Sequence, residues 1–107
     1  MAYKVLGQLA PAATALADVY TVPSATEAVI SSIVIANRSG TAGTFRLAVR
    51  PNGSAIANQH YLAYDVPIAG NDSTTLTLGV TMDAADVLSF YASSANQSIN
   101  VFGSEIV

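Results

Sequence analysis

One histidine, His60 in Asn58-Gln59-His60-Tyr61, is the only side chain in this sequence suited to general-base work near neutral pH. A Ser/His/Asp triad would have to use it, but no serine stands in a Gly-x-Ser-x-Gly setting that would present a nucleophile at a sharp turn. His60 is therefore expected to make a structural hydrogen bond at a strand entrance. A lone histidine with no cysteine also speaks against a transition-metal site, which recruits several nitrogen or sulfur ligands. The carboxylates offer a second chemistry. Asp83-Ala84-Ala85-Asp86 and Gly70-Asn71-Asp72 could gather oxygens around calcium, but no EF-hand spacing is present. Asp and Asn at such positions ordinarily hydrogen-bond a chain reversal. Glycoside hydrolysis would need two carboxyls facing each other across a groove. The aromatic platforms that accompany sugar chemistry are thin: there is no tryptophan, and Tyr3, Tyr20, Tyr61, Tyr64 and Tyr91 are spread over four predicted strands. Four Asn-x-Ser sequons, at Asn37, Asn52, Asn71 and Asn96, lie in predicted turns and are read as turn chemistry. Neither a catalytic residue, nor a cofactor, nor a metal ligand is assigned.

The elements that would position any site follow from composition and period. The chain has 107 residues, enough for one domain (1–107), and without cysteine it has no disulfide. Only 10% of residues are charged, against about 25% in an ordinary soluble domain. The hydrophobic fraction is 51% and the mean hydropathy is +0.44. A small domain has much surface to cover, so this balance points to a protein that lives in an assembly. A net charge of −3 with four basic residues, Lys4, Arg38, Arg46 and Arg50, argues against nucleic acid as a partner. No apolar run reaches the roughly 20 residues of a membrane helix, and the opening residues lack a secretory profile. The chain is expected to be made in a cytoplasm, with no membrane partner.

The hydrophobic period is two nearly throughout. In Thr44-Phe45-Arg46-Leu47-Ala48-Val49-Arg50 the apolar side chains Phe45, Leu47 and Val49 share one face. Residues 28–36 are β-branched and near-continuous, as in a central strand covered on both faces. Further strands are predicted at 3–8, 18–22, 61–66, 75–81, 86–92, 98–102 and 104–107, with Gly, Pro, Asn and Ser clusters between them. Residues 9–16 and 55–59 could be helical, although Pro11 argues for an extended arm or a single turn in the first. The fold class is all-β: a single-domain antiparallel β-sandwich, jelly-roll-like, of seven to eight strands, with residues 1–13 as a candidate N-terminal arm.

Several segments carry a family resemblance. They are Val5-Leu6-Gly7-Gln8, Val19-Tyr20-Thr21-Val22-Pro23, Ser31-Ser32-Ile33-Val34-Ile35-Ala36-Asn37-Arg38, Tyr61-Leu62-Ala63-Tyr64-Asp65 and Phe102-Gly103-Ser104-Glu105. Together they span nearly the whole chain, and it resembles small all-β virion proteins of tailed bacteriophages, particularly those infecting cyanobacteria and marine bacteria. The resemblance implies a non-enzymatic component of the particle, best matched by a capsid decoration (cement) protein on the outside of the head. Its partners would be the major capsid protein and copies of itself, as a homotrimer. A protein that binds the assembled shell and not its dispersed parts stabilises the shell by mass action. A trimer matches the threefold points of a lattice. The alternative station is the tail, baseplate or a fibre, with Ser- and Asn-rich loops as the contact surface. A third reading, from another class, is a small sugar-binding protein using His60, Tyr61 and Tyr64.

Candidate contact residues are Tyr3, Val5, Leu6 and Leu9 in the arm and Ile106 and Val107 at the other end. An apolar arm is costly to leave in water and would pack on a neighbour. Alternatively residues 3–8 are the first strand of the chain's own sheet, and both hold if that strand pairs across subunits. Arg38, Arg46 and Arg50 either face acidic patches of a partner or sit on solvated strand faces.

Overall fold

Ile30 and Ile33 are three residues apart, yet both side chains are buried in the same core, and this parity change shapes the largest strand. In the computed structural model, which describes residues 3–107, Glu27–Asn37 forms the 11-residue strand β3. Its pairing with the last strand, β9 (Gln97–Ile106), shifts register between Ile30 and Ser32. The bulge absorbs Ser31, whose hydroxyl donates to the Phe102 carbonyl at 3.2 Å. Ala28, Ile30, Ile33 and Ile35 then all face inward. Val29, Ser32, Val34 and Ala36 are only half-buried. The strand is central in its sheet but covered by this chain on one face, not on both as its composition suggests. Apolar Val29, Val34 and Ala36 on the outer face, with the change of phase at the bulge, hide the alternation.

The remaining strands are β1 (Lys4–Leu9), β2 (Leu16–Thr21), β4 (Gly43–Arg50), β5 (Tyr61–Ile68), β6 (Ser73–Leu76), β7 (Val80–Met82) and β8 (Val87–Ala92). They form two antiparallel sheets. One has the order β1-β9-β3-β6, with β7 also pairing β3, and the other β2-β8-β4-β5. The chain changes sheets at nearly every connection, staying within one only between β4 and β5 and between β6 and β7. If β6 and β7 are taken as one interrupted strand, these two orders are those of an eight-stranded jelly roll.

The described residues form nine strands where seven to eight were expected, and glycine explains two of the changed boundaries. Residues 98–102 and 104–107 belong to one strand, because Gly103 marks a close approach and not a break. A Cβ there would lie 2.0 Å from the Val29 carbonyl oxygen. Residues 75–81 are interrupted at Thr77-Leu78-Gly79, where Gly79 takes φ +62 and opens the edge between β6 and β7. Residues 10–15 make a turn, with Thr14 at φ 58 and its N–H donating to the Ala92 carbonyl at 2.9 Å. The segment read as a candidate helix at 55–59 yields only a 3-10 turn, Asn58–His60.

Between the sheets lie Phe45, Leu47, Leu88, Phe90, Ile99 and Val101, all fully buried. The Phe45 and Phe90 rings pack tilted at 35° with centroids 6.2 Å apart. Burying each such side chain contributes roughly 1.5–3 kcal/mol toward holding the two sheets together. Leu6 and Leu9 of β1 pack against the same core, and Gly7 lies so near β2 that a Cβ would meet the Val19 carbonyl at 2.5 Å. Residues 4–9 are therefore a strand of the chain's own sheet, paired with β9. Of the candidate arm, Met1 and Ala2 lie outside the described residues.

Candidate functional site

The two outer faces of the sandwich differ in chemistry, and the strand register fixes which residues share each. On the β1-β9-β3-β6 sheet, directly paired residues form rows pointing away from the core. One row is Gln8, Asn100, Val34 and Thr75, and another is Val5, Phe102 and Ser32. Ser98, Ala36 and Ser73 make a third, and Ser104, Val29 and Thr81 a fourth. None of these residues is charged; the row beyond the fourth pairs Ile106 with Glu27 and brings one carboxylate to the margin of the face. The Gln8 amide donates to the Asn100 side-chain oxygen at 2.6 Å across the first row.

The outer face of the β2-β8-β4-β5 sheet carries the charge. Arg50 donates from Nη2 to Asp18 Oδ1 at 2.7 Å, from Nε to the Ser89 hydroxyl at 3.1 Å, and from Nη1 to the Gly53 and Ser54 carbonyls at 3.1 and 2.9 Å. Arg46 donates from Nε to Asp65 Oδ1 at 2.6 Å and from Nη2 to Asp65 Oδ2 at 3.4 Å. Its guanidinium carbon lies 4.1 Å from the Tyr64 ring centroid and 4.3 Å from that of Tyr91. The Asp65 carboxylate holds this arginine well above its ordinary pKa, against the opposing effect of desolvation.

Local backbone explains how neighbouring residues reach one guanidinium. Phe45 pairs with Val66 and Leu47 with Ala63, so Tyr64 and Asp65 together stand opposite the single residue Arg46. This is a two-against-one bulge, with Asp65 at φ 50. Tyr91 approaches from the other side because it pairs with Arg46 across β4 and β8. Next to this cluster the Tyr61 and Tyr64 rings meet edge to face, 4.9 Å between centroids and at 87°. The two rings and Asn58 line a depression of about 290 Å³.

The candidate contact residues divide accordingly. Tyr3, Val5, Ile106 and Val107 are exposed, at 77%, 50%, 40% and 100%. Leu6 and Leu9 turn toward the core. Arg38 donates to the Ala95 carbonyl at 3.1 Å and braces a loop. Arg46 and Arg50 are engaged within the chain, each with its own carboxylate. Sequence reasoning grouped Tyr61 with Tyr64 but missed that Tyr64 and Tyr91 converge on Arg46, with Tyr61 packed against Tyr64. The signal was the alternation break at Tyr64-Asp65, two exposed residues in succession.

The remaining candidates are accounted for by turns. His60 Nδ1 accepts the Ala57 N–H at 3.0 Å, which fixes the 3-10 turn before β5. Asp86 accepts the Asn52 and Asp83 N–H groups on its two oxygens at 2.8 and 2.9 Å. Asp72 accepts the Ser73 N–H at 2.8 Å. Among the described residues no three of His, Asp or Glu are grouped so as to hold a metal ion. Of the sequon asparagines, Asn52 and Asn71 sit at φ 55 and 53, the left-handed turn conformation that asparagine tolerates. Asn37 is buried at 2% exposure. No family model, curated protein or solved structure matches the chain at a significant level.

Proposed function

We propose that this chain is a non-enzymatic structural protein of a tailed-bacteriophage particle, a decoration (cement) protein that binds the outside of the head lattice as a homotrimer. The observation that carries this reading is the outer face of the β1-β9-β3-β6 sheet, four adjacent rows of uncharged Val, Phe, Ala, Ser, Thr, Asn and Gln side chains with Glu27 at the margin beyond them. Interface cores are depleted in charge, and a flat neutral sheet face suits a permanent contact with a shell or a second copy. Val5 is half exposed within this face, and Ile106, exposed beside Glu27, stands at its margin. The family resemblance supplies the kind of assembly. The main alternative keeps the particle and moves the protein to the tail or baseplate.

The test is gold-labelled antibody against the protein on intact phage particles, viewed by electron microscopy. Regular label over the head is the expected result. Label confined to the tail overturns the cement role. Absence of the protein from a denaturing gel of purified particles overturns the virion reading itself. In a binding assay with isolated heads, Val34→Lys is expected to abolish attachment, since it puts an unpaired charge at the centre of the neutral face.

A further inference from the structure

Tyr64 is 56% exposed, yet its position is held from two directions. The Arg46 guanidinium lies over its ring, clamped in turn by Asp65 and Tyr91, and Tyr61 packs against it at a right angle. Arranging these side chains around an exposed ring restricts several rotamers that solvent would otherwise leave free. Guarding the β5 edge against stray pairing does not require it, because the register of β5 against β4 is already broken twice. An immobilised exposed aromatic is instead what a binding platform requires, since the ordering cost is met before the ligand arrives.

We propose that the notch between Asn58, Tyr61 and Tyr64 binds a neutral pyranose ring of a saccharide. Two rings at right angles give a floor and a wall, and at about 290 Å³ the space lies at the lower end of ligand pockets. The C–H bonds on a pyranose face carry partial positive charge and are drawn to the negative face of an aromatic ring. The Asn58 amide offers both donors and an acceptor to the hydroxyls at the ring's rim.

Charge selects against other ligands. Arg46 is neutralised by Asp65 beside the notch, and the whole chain carries −3, so neither a phosphate nor a nucleic-acid strand is attracted. A proline-rich peptide needs an extended aromatic groove, and three residues line this depression. The proposal is independent of the virion reading: the notch can bind sugar wherever the protein resides, and that reading stands or falls on particle labelling.

The experiment is saturation-transfer NMR on the full chain with methyl glycosides of glucose, galactose, mannose and N-acetylglucosamine. A proline decapeptide and a short single-stranded oligonucleotide serve as competing probes. Transfer to the ring protons of at least one glycoside is expected, with affinity falling at least about tenfold in Tyr64→Ala, the equivalent of about 1.4 kcal/mol. Tyr64→Phe keeps the ring and retains binding. Leu78→Ala, an exposed apolar residue at the β6–β7 break, leaves it unchanged. The amide spectrum of each variant confirms its fold. No transfer to any glycoside, equal transfer in Tyr64→Ala, or transfer only to the peptide or oligonucleotide overturns the proposal.

Discussion

Tyr20 donates its hydroxyl proton to Glu105 at 2.6 Å, tying β2 of one sheet to β9 of the other at the mouth of the sandwich. The ring itself is buried at 8% exposure and belongs to the core. Burial and the neighbouring carboxylate both oppose ionisation, so the hydroxyl titrates well above its ordinary 10.0. In the unfolded chain it ionises at the ordinary value. Between the two the native state binds more protons than the unfolded state, so stability falls as pH rises above 10.0. Tyr20→Phe removes this dependence. Urea midpoints measured from neutral to strongly alkaline pH should show the variant less stable at neutral pH and converging on the wild type in alkali. A constant difference across that range would contradict the linkage.

The same carboxylate controls the acid side. Glu105 also accepts Lys4 Nζ at 2.6 Å, and the lysine first, then the Tyr20 hydroxyl, hold its carboxyl below the usual 4.5. A depressed native pKa contributes stability that is present above 4.5 and is lost as pH falls through the native value. Glu105→Gln should therefore lower the melting temperature at neutral pH and make the acid limb of the stability curve shallower. If the variant keeps the wild-type acid limb, other carboxylates carry it.

Gly103 tests the crossing of β9 over the β3 bulge. An alanine Cβ would stand 2.0 Å from the Val29 carbonyl oxygen and 2.9 Å from the Ile30 Cα, both backbone atoms that cannot rotate away. The strands would have to separate where ten pairings join them. Gly103→Ala is expected to destabilise by about 3 kcal/mol, the upper end for overpacking, read as a drop in the urea midpoint. A loss under about 0.5 kcal/mol, the range of ordinary surface changes, would mean the strands part easily.

How much of this was legible in the sequence depended on backbone parity. Strand β4 was read correctly because Phe45, Leu47 and Val49 alternate without interruption from Thr44 to Arg50. The extra residue at Ser31 inverts the phase of β3, and because the outward Val29, Val34 and Ala36 are themselves apolar, the strand seemed covered on both faces. At Tyr64-Asp65 the same event brought two side chains to one arginine, and no one-dimensional period reports such convergence. Gly103 was misread because a glycine that permits contact and one that permits a turn are identical in sequence. The four uncharged rows were invisible for a related reason: their residues come from five strands and adjoin only once the register is known.

Asn37 shows how a turn residue can hold a loop junction together. Its amide is shared among the Thr41, Ala69 and Ile68 carbonyls at 2.9, 3.3 and 3.4 Å, while its oxygen accepts the Ser39 N–H at 3.1 Å. The residue ends β3 and fastens the 38–42 loop to the end of β5. Asn37→Ala removes this shared donor from a largely buried junction, and a loss of about 1–3 kcal/mol is expected. Asn37→Asp keeps the shape but turns a carboxylate toward carbonyl oxygens. It should be the more damaging change at neutral pH. Protonation restores a donor and removes the charge, so its deficit relative to Asn37→Ala should shrink on acidification. Thermal melts of both variants across the acid range decide the matter. A pH-independent difference between them would show that the loop junction has opened and that solvent, not the three carbonyls, surrounds the new side chain.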